Sequence, residues 1–192
     1  MKSVCVYCGS SDLVDQKYLE AANIMGREIA GRGLKLVFGG GSTGLMGAVA
    51  SSALERGGEV VGVITQHFNK AELAHDGLSR LEVVDDMHQR KARMIELSDA
   101  FVALPGGFGT MEELFEVLTW AQIGLHSKAI GLLNAYNYFD SLFDFFSQAK
   151  NEGFIFHEHQ GLYRQATSAE ILLDSLQDYQ SPEGLGAWLE RK

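Results

Sequence analysis

The 192 residues, 46% of them hydrophobic and 21% charged, are enough for one domain with a sizeable buried core and exclude extended disorder. A formal net charge of −9 and a pI near 5.1 exclude a broad surface for nucleic-acid polymers or anionic membranes, which needs a basic face, while leaving room for a small phosphorylated ligand held by locally placed cations. No uncharged apolar stretch approaches the roughly 18 residues of a membrane span, and Met1-Lys2-Ser3 leads directly into a strand instead of a signal peptide, so the expected location is cytoplasmic.

The first apolar run, residues 3–8, predicts a strand that ends in the turn Cys8-Gly9-Ser10-Ser11. Its Cys5 and Cys8 have C-x-x-C spacing, but residues three apart in a strand point to opposite faces. A redox pair normally sits at a helix start, so redox chemistry is not expected. A helical pattern over 16–32 follows, closed by Gly31 and Gly33, and a second strand spans 34–38.

That strand runs into Gly39-Gly40-Gly41-Ser42-Thr43-Gly44 and then a helix over 45–56. Glycines at a strand-to-helix junction let the backbone approach a ligand, and the free N–H groups at the helix start favour an anion. The match to G-x-G-x-x-G resembles a dinucleotide fingerprint. It follows the second strand, however, and the third strand, 59–64, continues as Thr65-Gln66 with no acid to hold a ribose, so NAD is not expected. The first turn after Gly44 carries no acid, which makes this helix the expected phosphate site.

A strand at 81–84 precedes a helix over 87–97, whose Met87 and Met94 mark an apolar side while Arg90 and Arg93 share another. Those arginines either supply cations to a ligand or form a solvated surface pairing with Asp85, Asp86 or Glu96. The next strand, 100–104, enters Pro105-Gly106-Gly107-Phe108-Gly109-Thr110-Met111-Glu112-Glu113, with the helix expected over 113–123. Thr110 and Glu113 have capping-box spacing, so Glu113 is either a cap or a carboxylate offered to a ligand. Two glycine turns in equivalent positions favour a shared crevice.

A strand at 129–133, a helix over 139–151, a short strand at 161–165 and a helix over 169–176 complete the pattern. Strands alternating with helices specify an α/β fold: one doubly wound, Rossmann-like domain over residues 1–180, with a mostly parallel sheet, helices on both faces, and a tail over 181–192. In such sheets ligands collect at the carboxyl ends of the strands where strand order reverses, and Ser10, Gly41 and the Pro-Gly-Gly turn all fall at those ends. His157 and His159 have no further ligands nearby, so no metal is expected. The apolar excess of the 113–123 helix fits either a deep core or a dimer face, and Leu185, Trp188 and Leu189 of the tail fit either a partner or their own domain.

Taken together, the motifs resemble those of the LOG (Lonely Guy) family, cytokinin riboside 5′-monophosphate phosphoribohydrolases marked by P-G-G-x-G-T-x-x-E, complete here from Pro105 to Glu113. The likeness extends to Cys8-Gly9-Ser10-Ser11, Gly44-Leu45-Met46-Gly47, Asp86-Met87-His88-Gln89-Arg90-Lys91 and Thr119-Trp120-Ala121-Gln122. It implies hydrolysis of a nucleoside 5′-monophosphate to free base and ribose 5-phosphate, without a cofactor. It further implies that Arg90 and Glu113 form the catalytic pair, and that Glu72, Arg90, Lys91, Gly107, Phe108, Gly109, Thr110, Met111, Glu112, Glu113 and Thr119 bind the nucleotide. A homodimer or larger homo-oligomer, with sites near the subunit interface, is also implied. Plant-like members often carry Pro and Arg after the third strand, whereas this chain reads Ile64-Thr65-Gln66-His67-Phe68-Asn69-Lys70-Ala71-Glu72, so AMP and a cytokinin riboside 5′-monophosphate both stand as substrates.

The label of lysine decarboxylase that such proteins often carry has little physical support. That reaction normally uses a Schiff-base lysine with pyridoxal phosphate, and the family mark contains no lysine. A non-catalytic nucleotide-binding sensor is the alternative function, which the presence of both Arg90 and Glu113 disfavours.

Overall fold

The computed structural model describes residues 1–185. Its seven strands are β1 (Ser3–Tyr7), β2 (Lys35–Phe38), β3 (Val60–Thr65), β4 (Arg80–Val84), β5 (Ala100–Ala103), β6 (Ala129–Leu133) and β7 (Arg164–Ala166). They form one sheet in the order β4-β3-β2-β1-β5-β6-β7, every pair parallel. The helices are α1 (Gln16–Gly31), α2 (Gly44–Glu55), α3 (Met87–Glu96), α4 (Phe108–Gln122), α5 (Asp140–Asn151) and α6 (Ala169–Gln177).

Alternation along β1 divides the core. Val4 and Val6 join Leu36, Phe38 and Val102 under residues of α1, α2 and α6, whereas Cys5 and Tyr7 join Val37, Phe101 and Ala103 under α3, α4 and α5. Both faces are therefore covered, and residues such as Met25, Ile29, Leu36 and Phe38 are fully buried, each side chain contributing about 1.5–3 kcal/mol relative to exposure. Cys5 and Cys8 are buried free thiols in the two opposite clusters, and burial pushes both thiols far above their usual pKa. Leu185 packs against the α3–α5 cluster of its own domain, while Trp188 and Leu189 lie outside the described residues.

Helices α1 and α2 pack closely because Gly26 has no side chain: a Cβ there would lie 2.2 Å from Ser52 Oγ and 2.3 Å from the Val49 carbonyl. Strand order reverses between β1 and β5, which pair from Val4↔Ala100 to Tyr7↔Ala103, and the chain leaves them toward opposite faces. The crevice at their carboxyl ends is where the Gly9 and Pro105 turns meet.

Most boundaries fall within one residue of the sequence-based expectation; two depart further, and one of the small shifts has a visible cause. Helix α4 starts at Phe108, with Gly107 as an extended N-cap lacking any side-chain cap, so Thr110 and Glu113 lie inside the helix and form no capping box. The tertiary contacts of Arg90 with Glu113 and of Thr110 with the Gly106 backbone carry the helix back through residues that read as loop. The segment expected as a strand from residue 161 is instead occupied by a 3₁₀ turn, His157–Leu162, which buries Leu162 before β7 begins at Arg164. Helix α5 starts one residue late, at Asp140, where the Asn134 side chain accepts from the Phe139 N–H at 2.8 Å.

Candidate functional site

A cavity of about 660 Å³ opens at the carboxyl ends of β1, β2, β3 and β5, bounded by the three turns that follow β1, β2 and β5. Ser10, Gly41, Arg90, Gly107, Phe108, Gly109, Thr110, Glu112 and Glu113 of the sequence-derived set line it together. The turns are joined by backbone contacts: the Gly9 N–H donates to the Pro105 carbonyl at 3.0 Å, and a Cβ on Gly9 would sit 3.3 Å from Gly106 Cα. Thr43 Oγ1 donates to the Ser10 carbonyl at 2.8 Å, which ties the second turn to the first.

The two helix starts differ from the expected division of labour. At α2 the Gly44 N–H donates to Asp12 Oδ1 at 2.7 Å and the Leu45 N–H to the Gly9 carbonyl at 2.9 Å, so an acid from the preceding turn already occupies this end. Asp12 was invisible to a reading of the first turn alone. At α4 the Phe108, Gly109 and Thr110 N–H groups have no acceptor among the described residues, and the first turn holds no acid. The open, positively polarised end on this cavity is therefore that of α4.

Arg90 reaches the cavity from α3. Its Nε donates to the Val63 carbonyl at 3.0 Å and its Nη1 to Glu113 Oε1 at 2.9 Å, with each side chain 11% exposed. The guanidinium lies against Gly39, where a Cβ would fall 1.9 Å from Nη2, so only glycine leaves room for it. Burial raises the Glu113 carboxyl above its usual pKa, and Arg90 offsets part of that rise through its charge and hydrogen bond. A carboxyl with a raised pKa beside a cation, on the wall of a cavity, is the pattern of a group that handles protons or positive charge.

The other basic residues of α3 point elsewhere. Arg93 pairs with Glu82 at 2.7 Å and Glu96 at 2.9 Å, so the surface reading describes Arg93 and not Arg90, and the two do not share a side. Lys91 is bound by Glu112 and, at 3.0 Å, by Glu116. Burial opposes its charge, but these carboxylates outweigh that and hold its pKa above the usual value, the reverse of what a Schiff-base lysine needs. To touch a phosphate, Lys91 would have to exchange one of these partners.

Glu72 and Thr119 are exposed and outside the cavity lining, and Met111 turns into the hydrophobic cluster beside α4. Thr119 borders a separate hollow of about 180 Å³ between α4, α5 and the 3₁₀ turn, with Phe115, Phe146 and Tyr163. The loop containing Glu72 instead contributes Phe68 and Leu73, and it is fixed by the Ser42 N–H donating to the Leu73 carbonyl at 2.8 Å. Sequence reasoning missed Tyr18, Met46, Phe68, Leu73 and Tyr138 in the lining, since apolar and aromatic residues near a strand end carry no signal that separates pocket from core.

A protein-family model described as "Possible lysine decarboxylase" matches residues 46–176. Over 178 residues the chain is 46% identical to a cytokinin riboside 5′-monophosphate phosphoribohydrolase of Arabidopsis thaliana, covering 93% of this chain and 84% of that protein. A second A. thaliana protein of the same description is 46% identical over 176 residues, covering 92% and 82%. Among solved structures, the molybdenum cofactor carrier protein of Chlamydomonas reinhardtii superimposes with a TM-score of 0.72 at 21% identity, covering 92% of this chain and 96% of that one. At that identity the likeness shows the fold alone.

Proposed function

Because the chain belongs to the LOG family of cytokinin riboside 5′-monophosphate phosphoribohydrolases, we propose that it hydrolyses the N-glycosidic bond of a nucleoside 5′-monophosphate, releasing the free base and ribose 5-phosphate. The observation that carries the reading is the buried Arg90–Glu113 pair on the wall of a cavity that also receives the open amino end of α4. One end suits a phosphate and the other a sugar carbon that becomes cationic.

In this reading the amides of Phe108, Gly109 and Thr110 take the 5′-phosphate, with Ser10 and Gly41 close by, and Glu113 faces the ribose. As the C1′–N bond breaks, its electron pair leaves with the base, which takes up a proton, and positive charge spreads over C1′ and the ring oxygen. The Glu113 carboxylate stabilises that charge and accepts a proton from the water whose oxygen bonds to C1′. Arg90 orients the carboxylate and keeps it ionised despite burial.

A cavity of about 660 Å³ lies in the size range of small-ligand pockets, and AMP and a cytokinin riboside 5′-monophosphate both stand as substrates. We also propose a homodimer, for which α4 offers the exposed Phe115 and Thr119. We further propose a cytoplasmic location; among the described residues no helix is long and apolar enough to cross a membrane.

The test is chromatography of incubations with AMP, adenosine and an isopentenyl-adenosine 5′-monophosphate. Base release from the monophosphates and little from adenosine is expected. Tight AMP binding without any base release would replace the enzyme by a nucleotide sensor.

A further inference from the structure

The turn that presents the α4 amides is held from both sides. On one, the Gly9 N–H binds the Pro105 carbonyl at 3.0 Å; on the other, Tyr138 Oη donates to the next carbonyl, that of Gly106, at 2.8 Å. Anchoring two successive carbonyls fixes the peptide planes between Pro105 and Gly107, and with them the direction in which the Phe108, Gly109 and Thr110 N–H groups point.

The backbone places Tyr138 with some strain. Tyr136 and Asn137, just after β6, have φ of 56° and 61°, left-handed values that side chains other than glycine rarely take, so surrounding contacts must hold them. Those contacts include Tyr18, whose ring meets Tyr136 edge-on at 5.8 Å and Tyr138 edge-on at 5.6 Å, and Phe139, 5.2 Å from Tyr138. Tyr18 and Tyr138 both line the cavity beside Gly106 and Gly107.

We propose that Tyr138 is a positioning residue for the anion-binding end of the site: its hydroxyl locks the Gly106 peptide so that the α4 amides meet the ligand's phosphate. The inference rests on the phosphoribohydrolase reading. It acts on phosphate affinity and leaves the chemistry at Glu113 alone.

The test is Tyr138→Phe, which keeps the ring and its edge contacts and removes only the hydroxyl. Loss of one such hydrogen bond corresponds to about a fivefold rise in KM for AMP, with kcat changed much less. Inhibition by ribose 5-phosphate should weaken by a similar factor while inhibition by adenine stays put. An unchanged KM, or ribose 5-phosphate and adenine constants that shift together with the melting temperature, would overturn the proposal. If the wild-type protein released no base, the enzyme reading would fail by itself, and calorimetric binding of ribose 5-phosphate to wild type and variant would still decide the role of Tyr138.

Discussion

Arg90 Nη1 and Glu113 Oε1 meet at 2.9 Å across 23 residues of sequence, joining α3 to the second turn of α4 at the cavity wall. The pair is nearly dry, so removing either partner leaves the other as an uncompensated buried charge. Burial raises the carboxyl's pKa, and this contact opposes that rise while linking the two helices.

The titration has a definite sign. Glu113 acts as the carboxylate, and burial raises its pKa, so base release should fall as pH drops through that raised value, with an acid limb of kcat/KM above the ordinary carboxylate range. Arg90→Met removes the opposing influence and should move the limb to higher pH while costing about 3 kcal/mol of stability in denaturant unfolding. Linkage runs the opposite way to activity: for an acid whose folded pKa is raised, the stability contribution is full below the unfolded pKa and lost as pH rises through the folded one. A limb in the ordinary range for both proteins would contradict the assignment.

Gly106→Ala tests the close approach of the two turns. The new Cβ would lie 2.1 Å from Thr110 Oγ1 and 2.8 Å from the Gly9 nitrogen, so backbone must move at the anion-binding end. KM for AMP should rise by roughly tenfold or more, read in steady-state base release, since a misplaced cradle loses alignment. Normal kinetics in this variant would mean that the turns do not cradle the substrate.

Much of the fold was legible in the sequence, since the central parallel strands are apolar runs and several helices, such as α1, α2 and α5, end near glycines. The start of α4 was not, because Gly107 to Thr110 look like loop until the closeness of Thr110 to Gly106 and the Arg90 contact of Glu113 are known. The pairing of Arg90 and Glu113 followed from the family resemblance; spacing alone left a capping box and a solvated basic face open. The occupant of the α2 amino end, Asp12, belongs to a different turn, so no local reading of the Gly39–Gly44 segment could find it.

Gly26→Ala probes the fold away from the site. Its Cβ would collide with Ser52 Oγ and the Val49 carbonyl, where α1 and α2 pack. Overpacking of this kind costs roughly 1–3 kcal/mol. Thermal unfolding should register the loss, while base release at a temperature below the transition stays near normal; an unaltered melting temperature would show that the helices part without strain.

The most direct measurement is AMP hydrolysis by the wild-type chain beside Glu113→Gln, a substitution that keeps an oxygen to accept from Arg90 but carries no charge. Adenine and ribose 5-phosphate should appear in equal amounts with wild type, and the variant should still fold, less stably because Arg90 loses its counter-charge, with turnover lowered by about a hundredfold or more. Near-normal turnover in the variant would contradict a catalytic carboxylate at residue 113.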